Sequence, residues 1–340
     1  MTRTLYLHIG AHRTATTSIQ RFLVRQFDAL VAAGCLLPLR KPRHFEMMNA
    51  IFDGSRKVDD VAADLNRRAD KKPVPITKLI VTDEDISMRR DLSRLARFRD
   101  HFDVKVIYSM RRQDLWLESW YFQNIKWQWN PSLSHITFDQ FLARRAEFHW
   151  IQYAHYVRHL EDVFGPENLL LSVFEPAQMP GGPVQHFCRQ LGLDPLIGGA
   201  PGPHINASMS AAMVEFTRHL PMHEFTPPQR ERLRRALEAV DRRSLGHSGK
   251  QSERLLPPDL RAALLAEYEV GNTALARRHF GRDHLFEAPC PDKETTLAEM
   301  KIPSSNTDLM AQFVAPLLRE LVVGGAGAPH RSDARGGMRP

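Results

Sequence analysis

The segment from Gly10 to Ser18 has the residue types and the spacing of an anion-binding loop. The apolar run Leu5 to Ile9 leads into small residues, and apolar positions then recur at helical spacing. A small-residue loop that opens a helix directs backbone N–H groups and the positive end of the helix at one point, which suits a phosphate group. The alternative is a plain strand-to-helix turn.

The loop departs from the common nucleotide-binding pattern GxxxxGK[ST] at two positions. Gly10 and Thr17 keep their places, whereas Ala15 stands for the second glycine and Thr16 stands for the lysine. The cation of the loop is Arg13 instead. Because an ordinary ATP-dependent enzyme needs the missing lysine, the pattern disfavours ATP hydrolysis.

The stretch HIGAHRTATTSIQ resembles the 5′-phosphosulfate loop of P-loop sulfotransferases, whose bacterial members commonly carry Lys-Thr-Gly-Thr-Thr here. The resemblance implies 3′-phosphoadenosine 5′-phosphosulfate as co-substrate, and no metal. It also implies that Arg13 replaces the family's lysine, which steadies the sulfuryl group and the leaving phosphate oxygen. The residues that it assigns to co-substrate binding are Arg13, Thr14, Ala15, Thr16, Thr17 and Ser18.

A second stretch, VKVIYSMRRQDLWLESWYFQNIK, resembles the 3′-phosphate segment of the same family. There, an arginine at a strand end and a serine eight residues later hold the 3′-phosphate of the nucleotide. Arg111 and Ser119 have this spacing, and an arginine can donate paired hydrogen bonds to phosphate oxygens. The alternative is that Arg111 and Arg112 are solvated charges. Trp116 and Trp120 are expected to be core residues.

The acidic turn at residues 83–85 contains the candidate general base. It follows the apolar run Lys78 to Thr82, at the carboxyl edge of the predicted sheet where ligands of open α/β folds bind. The letters VTDED also resemble a position where many family members have an acidic turn, so we assign proton removal from the acceptor hydroxyl to Glu84. A solvated turn that caps a helix is the alternative, and His12 and His44 are weaker candidates for the base.

The elements that position these residues predict an α/β fold. Strands alternate with helices along the chain, and this order indicates a parallel sheet wound by crossover helices. We predict a P-loop-type parallel sheet and a mainly helical C-terminal half from about residue 131, all in one domain spanning residues 1–323. Residues 324–340 are expected to be disordered. The predicted strands are Leu5–Ile9, Cys35–Leu37, Lys78–Thr82, Val104–Met110 and Asn168–Phe174.

Composition narrows the function further. The net charge of +7 comes in part from the C-terminal tail, and anionic small molecules or acidic glycans explain the remainder as well as nucleic acid does. We therefore expect no nucleic-acid partner. The chain has no apolar run long enough for a bilayer and no signal-peptide pattern, which predicts a cytoplasmic protein. Its three separated cysteines are expected to be buried thiols.

The sequence thus predicts a sulfotransferase that acts on a hydroxyl of a small molecule or glycan. One alternative is a P-loop nucleotide-dependent kinase, which would turn over ATP with magnesium. The other is a catalytically impaired nucleotide-binding protein, which would bind the sulfate donor without transferring the group.

Overall fold

The computed structural model describes residues 2–193, 209–247, 254–290 and 296–323. These residues contain a five-stranded sheet in the order β2-β3-β1-β4-β5, and every neighbouring pair is parallel. The predicted parallel α/β fold is therefore confirmed. The predicted disordered tail lies outside the described residues. The strands are β1 (Thr4–Gly10), β2 (Cys35–Leu36), β3 (Lys78–Thr82), β4 (Asp103–Met110) and β5 (Leu169–Val173).

Helices connect and cover these strands. From residue 131 onward the described chain contains one strand, β5, and is otherwise helical or irregular, as the sequence predicted. The α-helices are α1 (Thr16–Arg25), α2 (Phe27–Ala32), α3 (Phe45–Phe52), α4 (Val58–Asp70), α5 (Gln113–Trp127), α6 (Pro131–Ser134), α7 (Phe138–Ala143), α8 (Tyr153–Phe164), α9 (Gly182–Gln190), α10 (Ala211–Arg218), α11 (Pro227–Ser244), α12 (Pro258–Phe280), α13 (Asn306–Leu309) and α14 (Ala315–Val323).

Two details differ from the sequence-based predictions. The helical spacing after the loop predicts one helix as far as Val31. The structure instead has two helices, α1 and α2, which are separated at Gln26, where ψ is 17° and the helical geometry is lost. The three thiols are also not alike, since Cys35 and Cys188 are buried whereas Cys290 is exposed.

The central strands are buried on both faces. Consecutive residues of β1, such as Leu7, His8 and Ile9, are at most 1% exposed, and Leu79 to Thr82 of β3 are fully buried. Such strands are typical of a parallel sheet with both faces covered. β1 lies between β3 and β4, so the chain changes direction across the sheet there. Ligands of open α/β sheets bind at the carboxyl ends of the strands beside such a point.

The chain divides into two compact units. Unit 1 contains the described residues 2–120, 142–193 and 256–290, and with them the whole sheet. Unit 2 contains the described residues 121–141, 209–247, 254–255 and 296–323, and its regular elements are helical. All candidate site residues from the sequence belong to unit 1, while the predicted single domain stays a prediction.

Candidate functional site

The predicted anion-binding loop joins β1 to α1. β1 ends at Gly10, whose φ of 101° is available to glycine at little cost. Arg13 and Ala15 also have positive φ, at 66° and 63°. Ala15 is therefore held in the left-handed conformation that favours glycine, the residue found at this point of the common pattern.

Neighbouring elements hold the loop in place. The Thr14 hydroxyl donates to the Ala11 carbonyl at 2.6 Å, which closes the loop on itself. The Ala11 amide donates to the Ser109 carbonyl of β4 at 3.2 Å. The Trp116 indole N–H of α5 donates to the His12 carbonyl at 2.8 Å. Trp116 is fully buried, as predicted for a core residue, and it also fixes the loop backbone.

The start of α1 is compatible with an anion. No side chain caps this helix end, and its first turn contains no acidic residue. The first turn consists of Thr16, Thr17 and Ser18. Since the N-terminus of a helix carries a partial positive charge and unsatisfied N–H groups, an anion is stabilised there.

The loop cation lies beside both residues of the second anion segment. The Nε of Arg13 donates to the Ser119 hydroxyl at 2.6 Å, and the Nη1 of Arg111 donates to the Arg13 carbonyl at 3.0 Å. Burial lowers the pKa of Arg13 to about 10, so its guanidinium stays charged at neutral pH. Three residues up to 106 positions apart in the chain thus form one cationic and hydroxyl-bearing group.

Arg111 follows the last residue of β4 and is held there by Tyr153. Its amide donates to the Tyr153 hydroxyl at 3.0 Å, and that hydroxyl donates to the Arg111 carbonyl at 2.5 Å. Its guanidinium lies 5.8 Å from the centre of the Phe174 ring. Arg112, in contrast, is buried and paired with Asp114 at 2.8 Å. The two adjacent arginines therefore differ, and Arg112 is not a solvated charge.

The acidic turn is organised around Arg43. Its guanidinium contacts Asp83 at 2.5 Å, Asp85 at 2.6 Å and Glu84 at 3.5 Å. These three carboxylates raise the pKa of Arg43 despite its partial burial. Burial, in turn, raises the pKa of Asp83 to about 6 against the attraction of Arg43. Asp85 is also partly buried, but its hydrogen bond with His12 and the charge of Arg43 lower its pKa to about 2.

Glu84 lies directly against the loop. An added Cβ on Gly10 would be 3.1 Å from the Cβ of Glu84, so the two residues approach closely, and the φ of 101° at Gly10 also disfavours a side chain there. Glu84 is 7% exposed, and its carboxylate accepts a hydrogen bond from the Gln20 amide of α1. The alternative explanation of the acidic turn was a solvated helix cap. The capping residue is Asp83, whose side chain accepts a hydrogen bond from the Asp85 amide. Glu84 is thus a buried carboxylate beside the loop rather than a solvated one.

The two histidine candidates have different environments. His44 accepts from the Thr82 amide through Nδ1 at 3.1 Å, so its Nε2 carries the proton that it donates to the Pro38 carbonyl at 2.6 Å. Both ring nitrogens are occupied, Nδ1 by Thr82 of β3 and Nε2 by the Pro38 carbonyl, which argues against His44 as the base. His12 belongs to the loop itself, and its Nε2 lies 2.9 Å from Asp85 Oδ1.

Sequence reasoning missed three side chains that shape this region: Gln20, Arg43 and Tyr153. Gln20 is four residues after Thr16 and faces the sheet on the first helix, a spacing that could have indicated its position. Arg43 and Tyr153 lie in segments without a recognisable pattern. Their contacts arise from the tertiary fold.

Two further features of the described residues bear on other functions. No group of three or more histidine, cysteine, aspartate or glutamate side chains in those ranges is arranged to hold a metal ion. Nor does any helix within them combine the length and the apolar character that a membrane span requires.

Comparisons with known proteins give distant similarities. No protein-family model matches the sequence. The chain is similar to a crystal structure of a sulfotransferase from Alicyclobacillus acidocaldarius, with 18% identity and a TM-score of 0.43, over 81% of this chain and 96% of that one. It is also 21% identical, over 212 residues, to an uncharacterized protein from Archaeoglobus fulgidus. That match spans 61% of this chain and 55% of the relative.

Proposed function

We propose that this protein is a sulfotransferase that moves a sulfuryl group from 3′-phosphoadenosine 5′-phosphosulfate to an acceptor hydroxyl. The observation that carries the proposal is the convergence of Arg13, Arg111 and Ser119 at the carboxyl ends of β1 and β4. In this proposal, these contacts would form two adjoining anion sites. A nucleotide that bears both a 5′-phosphosulfate and a 3′-phosphate has the matching charges.

The loop would hold the 5′ end of this co-substrate. The backbone around residues 14–18 and the start of α1 supply N–H groups and a positive helix end for the phosphosulfate. Arg111 and Ser119 would hold the 3′-phosphate, through a guanidinium and a hydroxyl donor. Arg13 touches Ser119 and belongs to the loop, so its charge serves both ends of the nucleotide.

In the transfer step, the acceptor oxygen attacks sulfur while the bond between sulfur and the bridging phosphate oxygen breaks. Negative charge grows on that bridging oxygen, and Arg13 with the loop N–H groups stabilises it. The acceptor hydroxyl loses its proton to Glu84, which becomes a neutral acid. The products are the sulfated acceptor and 3′,5′-bisphosphoadenosine, so atoms and charges balance.

Donor selectivity tests this assignment. Isothermal titration should show that 3′,5′-bisphosphoadenosine binds far more tightly than ADP or AMP, because it alone of the three can occupy both anion sites. Equal affinities would contradict the two-site arrangement. Transfer is then measured with labelled sulfate donor and a cell extract as the source of acceptors.

The same experiment separates the alternatives. A nucleotide-dependent kinase would bind ADP at least as well as the bisphosphate and would turn over ATP with magnesium. The loop lacks the lysine that such an enzyme uses. A catalytically impaired binding protein would bind the bisphosphate but transfer no label to any acceptor.

A further inference from the structure

A polar side chain is buried on the face of α1 that packs toward the sheet. Gln20 is 3% exposed, and its neighbours Ile19 and Leu23 are buried apolar residues. Burying an amide among apolar side chains costs free energy unless its hydrogen-bonding groups are satisfied. The partners of Gln20 therefore indicate why a glutamine occupies this position.

The amide of Gln20 is bound to the candidate base. Its Nε2 donates to Oε2 of Glu84, and it also donates to the Thr82 hydroxyl at 3.4 Å. A carboxylate oxygen only accepts hydrogen bonds, so the NH2 end of the amide must face Glu84. Because Gln20 belongs to α1 and Glu84 follows β3, this contact joins the helix that begins at the loop to the acidic turn.

Thr82 and His8 fix the orientation of the Gln20 amide. Both are at most 1% exposed, and the Thr82 hydroxyl, which accepts from Gln20, lies 2.9 Å from Nδ1 of His8. Burial lowers the pKa of His8 to about 4, so its ring is neutral near neutral pH and Nδ1 can accept the hydroxyl proton. Hydrogen bonds then run from Gln20 to Thr82 and from Thr82 to His8, and the other N–H of Gln20 is directed at Glu84.

The two carboxylate oxygens of Glu84 have different surroundings. Oε2 accepts from Gln20 and lies 3.5 Å from Nε of Arg43, whose closer contacts are with Asp83 and Asp85. No donor in the described part of the chain reaches Oε1, and this oxygen is not fully enclosed. The carboxylate thus has one oxygen held by the protein and one that a second molecule can reach.

We propose that Gln20 is the positioning residue of the general base: its amide holds Oε2 of Glu84, so that Oε1 takes the proton of the acceptor hydroxyl. This inference rests on the proposed function and adds a residue that acts through Glu84. A neutral donor suits this task, because it fixes the carboxylate without cancelling its charge. A lysine or arginine in its place would favour the ionised form much more strongly and so weaken the base.

Infrared titration of the full chain tests the contact without requiring an acceptor. The spectrum of the wild type minus that of E84Q contains the bands of the Glu84 carboxyl group, and Q20M minus Q20M/E84Q gives the same bands without the amide. Methionine keeps the length of the side chain and removes both N–H donors. Because a hydrogen bond to the ionised form favours that form, we expect Glu84 in Q20M to take up its proton at a pH about one to two units higher.

Two further variants separate the hydrogen bond from packing. Q20E places a second carboxyl group against Glu84, and two adjacent carboxylates cannot both stay ionised at low cost, so proton uptake should move to a still higher pH than in Q20M. Q190M is the matched control. Gln190 belongs to α9 and donates to the Ser172 hydroxyl at 3.0 Å, so the same change there should leave the titration of Glu84 unchanged.

The subtraction accounts for the other ionisable groups around Glu84. Asp83 and Asp85 are its neighbours in the turn, Arg43 precedes α3, and His12 of the loop is bound to Asp85. Burial raises the pKa of Asp83 to about 6, so Asp83 itself titrates near neutral pH. Each of these groups is present in both members of each subtracted pair, whereas Glu84 is present in one.

Transfer of labelled sulfate to acceptors in a cell extract is the second readout. At neutral pH, Q20M should transfer about ten- to hundredfold more slowly, and the acidic limb of its pH profile should move to higher pH, as in the infrared titration. Introduced into E84Q, Q20M should have little further effect, because Gln20 acts through Glu84. The affinity for 3′,5′-bisphosphoadenosine should stay near wild type, which also shows that each variant is folded.

An unchanged titration of Glu84 in both Q20M and Q20E would overturn the proposal, and so would the same shift in Q190M. If Q20M lowered transfer as much in E84Q as in the wild type, Gln20 would only support packing. Q20E keeps a polar side chain of the same length, so it provides the test if Q20M does not fold. Absence of transfer by the wild type would instead overturn the proposed function, and the infrared titration would still report on the contact between Gln20 and Glu84.

Discussion

The loop at residues 10–18 and the acidic turn at residues 83–85 follow β1 and β3, two strands that are paired in the sheet. The loop gathers donors: backbone N–H groups, the start of α1 and Arg13. The turn gathers acceptors, three carboxylates held by one guanidinium from Arg43. Within one unit, the loop proposed to bind the anionic donor and the acidic turn proposed to accept a proton thus lie side by side.

Because the two regions differ in this way, substitutions in the loop and in the acidic turn should have different effects. The loop contacts Arg111 and Ser119, so a change there should alter nucleotide affinity and transfer together. Glu84 contacts Gln20 and Arg43, neither of which belongs to the proposed nucleotide site. A change at Glu84 should therefore alter transfer alone.

The largest expected effect is that of Glu84→Gln. Glutamine keeps the shape of the side chain and its capacity to accept a hydrogen bond, but it is not basic. We expect transfer to fall by about 10² to 10⁴, while the affinity for 3′,5′-bisphosphoadenosine stays near wild type. Steady-state transfer rates and calorimetric binding, measured on the same sample, check the loss of transfer and the unchanged nucleotide affinity.

Transfer by Glu84→Gln at the wild-type rate would mean that the base lies elsewhere. His12 is then the next candidate, because it belongs to the loop and its Nε2 is held by Asp85 at 2.9 Å. A loss of nucleotide affinity in Glu84→Gln would instead show that the turn supports the loop, through the close approach of Glu84 to Gly10.

Arg13→Ala should have the next largest effect. Donor affinity should weaken, and transfer should fall further, by about 10² to 10³, because charge on the bridging oxygen grows only as the sulfur–oxygen bond breaks. Arg13→Lys introduces the lysine that bacterial P-loop sulfotransferases commonly carry at this point of the loop, and it should keep or raise activity. Comparing the transfer rate of bound donor with the donor's dissociation constant separates the two effects, and a weaker affinity with an unchanged transfer rate of the bound donor would place Arg13 in binding alone.

Arg111→Ala and Ser119→Ala test the second anion site. Each should weaken binding of 3′,5′-bisphosphoadenosine by about 1.5 to 3 kcal/mol, the cost of losing a hydrogen bond to a charged group. The affinity for 5′-AMP should barely change, since AMP has no 3′-phosphate. Arg111 also donates to the Arg13 carbonyl, so AMP serves as the internal control: an equal loss for both nucleotides would mean that the loop itself had been disturbed.

Local patterns explain which parts of this molecule the sequence could predict. Strand β3 was predicted with its observed bounds, and β4 and β5 were each predicted to within a residue at either end, because buried apolar runs bounded by polar residues are local signals. The change from strand to helix around the loop was predicted for the same reason, while its anion-binding role stays a prediction. The contact between Arg13 and Ser119 follows from two such patterns that the parallel sheet brings together.

The environment of Glu84 could not be predicted in the same way. It depends on Arg43, which lies 41 residues earlier in a stretch without periodicity, and on Gln20, which is 64 residues away. The sequence could not show that the turn is buried, since acidic turns of identical composition are usually solvated caps. Burial of a carboxylate is a property of the packed fold and not of the local letters.

The smallest expected effect concerns Ala15, an alanine that adopts the left-handed backbone conformation favoured by glycine. A left-handed alanine costs about 1 to 2 kcal/mol of folding free energy. Glycine removes this cost, but part of the stability gained is lost again because glycine gives the unfolded chain more conformational freedom. Ala15→Gly should therefore raise the free energy of unfolding by about 0.5 to 1 kcal/mol. Ala63→Gly, the same change at an exposed right-handed position of α4, should lower it by about 1 kcal/mol. Denaturant unfolding of both variants beside the wild type measures the two signs, and destabilisation by both would show that the φ of 63° at Ala15 carries no strain that glycine relieves.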